Sequence, residues 1–177
     1  FLLQLSLVSA INLKIEKQEI SSMAILDINR PAEFLLTLTN YGESGNFEIY
    51  SIVGIPLEPK DPIFIAQNET KQINLKAYPS GEPRYYSFEY RIKDSYGKLK
   101  KDNLVINIVD LTGIFDIYIE DINPDSNTAI IHVENRGSQI FNSVKAKFSS
   151  PFFDKEETFA VTANEDKKIE VPINKDK

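Results

Sequence analysis

Apolar and polar residues alternate with a period of two along most of the chain, and helical periodicity is nearly absent. Glu33 to Asn40, EFLLTLTN, sets Phe34, Leu36 and Leu38 on one face and Thr37 and Thr39 on the other. Tyr85 to Ile92, YYSFEYRI, aims Tyr86, Phe88, Tyr90 and Ile92 inward, with Ser87, Glu89 and Arg91 outward. Successive side chains of a strand point to opposite faces, so both stretches suit half-buried antiparallel strands. The same pattern predicts strands over 11–19, 23–28, 33–40, 46–54, 63–66, 71–77, 85–92 and 99–109. Further strands are expected over 114–121, 127–135, 140–148, 157–161 and 167–173. Turn formers separate them, among them Tyr41-Gly42-Glu43-Ser44-Gly45 and Pro79-Ser80-Gly81-Glu82-Pro83. The proline-spaced IPLEPKDP, Ile55 to Pro62, lacks the N–H groups a central strand needs and reads as an edge crossing. Many short strands without intervening helices predict an all-β sandwich architecture.

Two pieces of this pattern recur about 95 positions later. Phe34-Leu-Leu-Thr-Leu-Thr-Asn-Tyr-Gly42 aligns with Ala129-Ile-Ile-His-Val-Glu-Asn-Arg-Gly137. Asn68-Glu-Thr-Lys-Gln-Ile-Asn-Leu75 aligns with Asn164-Glu-Asp-Lys-Lys-Ile-Glu-Val171. Leu36 thereby corresponds to Ile131, and Ile73 to Ile169. The expectation is two tandem immunoglobulin-like antiparallel β-sandwiches, over 11–110 and 111–177, joined with little slack near Asp110 to Gly113. The later copy stops just past the counterpart of Ala77, so it should lack its last two strands. A sandwich so shortened exposes a sheet edge and part of its core. Either the native chain runs beyond Lys177, which is the preferred expectation, or another strand fills the space.

The 42 % hydrophobic content, with 11 Phe and 8 Tyr, allows a core in each half. A net charge of -6 argues against nucleic acid as a partner. The absence of Cys removes disulfides, thiolate metal sites and Cys nucleophiles. The opening FLLQLSLVSA has no initiator Met, is rich in Leu and ends on small residues. Residues 1–10 therefore read as a signal-peptide remnant cleaved after Ala10, with a first strand as the alternative. Export to the cell surface or medium follows from the first reading. Ten residues are too few to span a bilayer as a helix, so membrane association would come only from regions outside this segment.

Pro31 with Phe34 to Gly42, and Asn68 to Leu75, together resemble the immunoglobulin-like modules of the NEW3 and CARDB kind. These recur in archaeal and bacterial cell-surface, S-layer-like proteins. Asn135-Arg136-Gly137 and Asn164 to Val171 play the same parts in the second half, and Asn68 stands where Gly is usual. The resemblance implies surface architecture, adhesion or the spacing of other domains, and carries no catalytic residues. Its implied partners are further domains of the same longer chain, other surface proteins or glycans.

Candidate chemistry is sparse. His132, the only histidine, is expected on the polar face of its strand and in solvent. One His and a neighbouring carboxylate are too few ligands for zinc. Asp110, Glu120, Asp121 and Asp125 would bind calcium only if their loops converged; a solvated acidic face is the preferred reading, and no cofactor is expected. Asn68-Glu69-Thr70 is a candidate glycosylation sequon at a turn, though its counterpart Asn164-Glu165-Asp166 keeps the turn residues without the hydroxyl. Tyr41 and Tyr96 in turns, and Phe152 and Phe153 after Pro151, are the candidate binding surface. The chain is read as a non-enzymatic structural or spacer module. The alternative is a recognition module that binds a glycan or protein through loops or an open sheet edge.

Overall fold

The computed structural model describes residues 11–123 and 125–175; the segment 1–10, read above as a signal remnant or first strand, lies outside them. The described residues form an all-β protein of fourteen strands without helix. They divide into two compact units, one ending at Asp110 and the other beginning at Leu111.

The first unit has two sheets. One runs β1 (Leu13–Ser21), β3 (Ala32–Asn40), β7 (Thr70–Ala77) and β5 (Leu57–Glu58). The other runs β2 (Met23–Ile25), β9 (Leu99–Val109), β8 (Arg84–Asp94), β4 (Gly45–Ser51) and β6 (Ile63–Ile65). The alternation read from the sequence puts Phe34, Leu36 and Leu38 of one sheet into a single core with Phe88, Tyr90 and Ile92 of the other. Each such side chain, once buried, stabilises the unit by roughly 1.5–3 kcal/mol before entropy is counted. The IPLEPKDP stretch does hold an edge position, where β5 pairs with the outer side of β7. One expectation needs correcting: the unit is not wholly antiparallel, because β2 pairs with β9 in parallel. The chain leaves the first sheet at the end of β1 and crosses at Ser22, whose carbonyl accepts from Asn107 N–H. It then lies along β9 for three residues before turning back through Asn29 (φ 48°).

The second unit also has two sheets, of three strands and two. β10 (Phe115–Ile119), β11 (Thr128–Asn135) and β14 (Asp166–Pro172) form one; β12 (Phe141–Ser150) and β13 (Phe153–Val161) form the other. β13 is longer than the expected 157–161 because Asp154, Lys155, Glu156 and Glu157 hide the alternation. The ladder with β12 organises that charged stretch, with Lys145 3.1 Å from Glu156 and Lys147 3.8 Å from Asp154 across the strands.

The recurring residues occupy matching registers. Leu36 lies opposite Ile73 and Phe34 opposite Leu75 in the first unit; Ile131 lies opposite Ile169 and Ala129 opposite Val171 in the second. Asn40 and Asn135, at the ends of β3 and β11, are buried at 1 % and 0 % exposure. Asn40 Nδ2–H donates to the carbonyls of Glu43 (2.8 Å), Ile65 (3.2 Å) and Ala66 (3.3 Å), while its Oδ1 accepts from Gly42 N–H (2.9 Å). Asn135 donates to Gln139 O and Thr162 O at 2.7 Å each, and accepts from Gly137 N–H at 3.0 Å. A short amide that offers two donors and an acceptor at once ties several backbone groups together at a buried strand end.

The recurring Asn-Glu belongs to the same device. Asn68 and Asn164 adopt φ of 60° and 58°, in the left-handed region where Asn is tolerated better than most residues. The following Glu reaches back to cap its own turn: Glu69 Oε2 accepts from Ala66 N–H at 2.6 Å, and Glu165 Oε2 from Thr162 N–H at 2.7 Å. The Glu69 and Glu165 carbonyls in turn accept from Asn40 and Asn135 N–H.

Candidate functional site

The two units differ most in what lies over the inner face of the β1–β3 pair and of its counterpart β10–β11. In the first unit β9 and β8 supply Leu104, Ile106, Ile108, Phe88, Tyr90 and Ile92, all 5 % exposed or less. In the second unit β12 has β13 as its only ladder partner among the described residues. An open groove of about 700 Å³ lies there between the two sheets. Ile117 and Ile119 of β10 and Val144, Ala146 and Phe148 of β12 face it, with Phe153 at one end. Ile117 and Ile119 are 57 % and 47 % exposed although they stand on the inward parity of their strand, shared with Phe115. Phe115 itself is covered by Phe141, ring centroids 5.0 Å apart.

The outer face of the same three-stranded sheet carries a compact charged cluster. His132 does point outward, but it is not solvated: only 5 % of it is exposed, which corrects the sequence expectation. Its neighbours across the ladder cover it. Tyr118 of β10 is its direct partner and stacks on the imidazole at 4.5 Å, with 11° between the planes. Glu120, just past β10, approaches Nε2 at 2.7 Å, and Asp166 of β14 approaches Nδ1 at 2.7 Å. Lys168, opposite His132 on β14, adds a 3.2 Å contact to Glu120. Both ring nitrogens can donate to carboxylates only in the imidazolium form. The hydrogen bonds to Glu120 and then Asp166 raise the His132 pKa above its ordinary value, against the opposing effect of burial. Glu120, bonded to His132 and Lys168, is held below the usual carboxylate range.

The sign of the resulting pH dependence is fixed. A raised histidine contributes stability that is complete below its unfolded value, near 6.5, and is lost as pH rises through the folded value. A lowered Glu120 contributes above its unfolded value, near 4.3, and that contribution is lost as pH falls through the folded value. The second unit should therefore be most stable between those two limits. With a single histidine in the chain, its imidazole C2–H resonance reports the titration directly, and a midpoint above 6.5 is expected. A midpoint at or below 6.5 would show that the clamp does not hold in solution.

The other candidate residues are scattered. Tyr96 is 69 % exposed and borders a pocket of about 370 Å³ with Asn12, Asn40, Glu43 and Lys98. A hydrogen bond to Glu43 raises its hydroxyl pKa. Tyr41 is 51 % exposed and does not line that pocket. Phe152 is half exposed in the β12–β13 turn, where Ser150 Oγ accepts from Phe152 and Phe153 N–H. Phe153 starts β13 and reaches the groove, whereas Phe152 does not line it. Asn68 is exposed at its turn. Of the acidic candidates, Glu120 is engaged by His132 and Lys168, and among the described residues no group of three His or acidic side chains is placed to hold a metal ion.

The sequence reading did not find the Glu120–His132–Asp166 clamp or the groove residues of β10 and β12. Their common signal is strand parity: Tyr118 and Glu120, like Asp166 and Lys168, sit on outward positions. Without the register nothing brings them beside His132.

No protein-family model matches the chain, and no curated protein matches it. Among solved structures it shows a likeness to the CupB2 chaperone of Pseudomonas aeruginosa, at 11 % identity and a TM-score of 0.32, covering 86 % of this chain and 87 % of that one. The E. coli chaperone DraB aligns at 9 % identity and a TM-score of 0.36, over 92 % of this chain and 88 % of that one. The secreted serine protease VesC of Vibrio cholerae aligns at 13 % identity and 0.33, over 92 % of this chain and 44 % of that one. Likenesses this loose carry no argument about activity.

Proposed function

We propose that the chain is a non-enzymatic structural module of an exported cell-surface protein, built from two units on one immunoglobulin-like plan. The face between the sheets of its second unit serves as an assembly point for further domains of the same longer chain. The observation that supports this best is the groove between its sheets, where apolar side chains on inward parity remain half exposed. Apolar surface in that arrangement is what a protein contact requires, and a catalytic centre would call instead for converging polar groups. The matching Asn40 and Asn135 networks support a common plan, since the same donors and acceptors close the same strand ends. The resemblance to modules of the NEW3 and CARDB kind fits a surface location and a spacing role.

Antibodies raised against the recombinant chain should label intact host cells as strongly as permeabilised ones. Labelling only after permeabilisation would overturn the surface reading.

A further inference from the structure

The β6–β7 turn of the first unit and the β13–β14 turn of the second are built alike, and the difference between them isolates one residue. Each turn requires an Asn at its left-handed position and a Glu to cap an amide three residues back; Asn68-Glu69 and Asn164-Glu165 supply both. The position after the Glu is free of that requirement. In the second unit it holds Asp166, whose carboxylate is engaged by His132 at 2.7 Å. In the first unit it holds Thr70, which lies opposite Thr39 and shares a 2.9 Å hydroxyl contact with it. Asn68-Glu69-Thr70 is the only place in the sequence where Ser or Thr stands two residues after an Asn.

The fold leaves this tripeptide open. Gln67, Asn68 and Thr70 are exposed, while Glu69 is half-buried with its carboxylate turned back onto the Ala66 amide. The Asn68 backbone N–H donates to the Asn40 carbonyl at 2.6 Å, so the turn is anchored through its main chain. The Asn68 side-chain amide, by contrast, has no hydrogen-bond partner among the described residues. A group attached to its Nδ2 extends into solvent and displaces no core side chain.

We infer that Asn68 is the attachment site of an N-linked oligosaccharide. This rests on the export reading above, because an Asn-X-Ser/Thr signal is used on secreted chains. In the transfer, Asn68 Nδ2 forms a bond to C1 of the first sugar. The bond from C1 to a phosphate oxygen of a polyprenyl-phosphate-linked oligosaccharide donor breaks, and the amide gives up one proton to the leaving phosphate. The Thr70 hydroxyl is the second half of the recognition signal, and a bulky, solubilising group suits an exposed turn. The second unit keeps the turn without the hydroxyl, so Asn164 stays unmodified.

The test is made on protein isolated from the host and digested with trypsin. The peptide 61–71, which contains Asn68, should carry the added mass of a chain of sugar residues. The peptide 156–167, which contains Asn164, should have the mass of its sequence alone. Expressed in the same host, Asn68→Gln and Thr70→Ala should each lose the added mass completely. Thr70→Ser should keep it, because the hydroxyl and not the methyl group is read. Thr39→Ala breaks the same hydroxyl contact as Thr70→Ala and should also keep the added mass, which separates loss of the signal from damage to the turn. A 61–71 peptide of unmodified mass in the host protein would overturn the inference, and so would added mass that survives Thr70→Ala. Surface labelling of cells together with an unmodified peptide would remove this inference alone. Labelling only after permeabilisation would remove the surface reading on which it rests.

Discussion

Replacing Asn135 by alanine should destabilise the second unit by about 3–4 kcal/mol, and Asn40→Ala should do the same to the first. Each substitution removes at least three hydrogen bonds to buried or part-buried backbone groups, at roughly 1–3 kcal/mol for each group left unsatisfied. At Asn135 the Gly137 amide loses its acceptor and the Gln139 and Thr162 carbonyls each lose a donor, Thr162 keeping the Glu165 amide at 3.3 Å. At Asn40 the losses fall chiefly on the Glu43 and Ile65 carbonyls and the Gly42 amide. Asn135→Asp is the sharper variant. It preserves volume and the acceptor for Gly137, but turns a carboxylate oxygen toward two carbonyl oxygens. Hydrogen exchange resolved along the chain measures each unit separately. In Asn135→Ala the β11 and β14 amides should lose protection while β3 and β7 keep theirs. Equal loss in both units, or loss below about 1 kcal/mol, would show that these amides are not the latch described here.

Leu36→Ala should cost the first unit about 3–4 kcal/mol, and the matching Ile131→Ala the second unit only about 2 kcal/mol. The two residues hold the same register and are 0 % and 2 % exposed. Truncation removes a similar transfer free energy from both. Leu36 sits under a closed second sheet, so its deletion leaves an enclosed void that adds a cavity term. Ile131 lines the groove, and the space left behind opens into it. Urea unfolding followed through unit-specific amides measures the difference. Equal costs would mean that the groove is closed in solution.

Most strands are legible in the sequence, because burial of one face imposes period-two alternation and turn residues punctuate it. Phe34, Leu36 and Leu38 are buried as that alternation requires, and so are Phe88, Tyr90 and Ile92. β13 was read too short for the converse reason. Asp154 to Glu157 are polar at every position, and only the β12 ladder with its cross-strand ion pairs makes them a strand. The parallel β2–β9 pairing left no mark on a three-residue segment whose direction depends on a strand about 80 positions further along.

The candidate site was less legible. The sequence marks Phe153, which reaches the groove, but shows Ile117, Ile119 and Val144 only as strand residues. Their exposure depends on what does not cover them. His132 was placed on the correct face and in the wrong environment, since parity tells a side chain's direction and not its neighbours.

The sequence alone determined the all-β class, the inward and outward positions of its longer strands, and the recurrence of the Asn and Asn-Glu turns. These are local properties, set by a period of two and by residues that tolerate a left-handed turn. Tertiary structure alone decided which strands became neighbours. Register across residues far apart in the chain puts Glu120 and Asp166 on His132, buries Asn40 and Asn135 as latches, and sets apolar side chains of β10 and β12 along one groove.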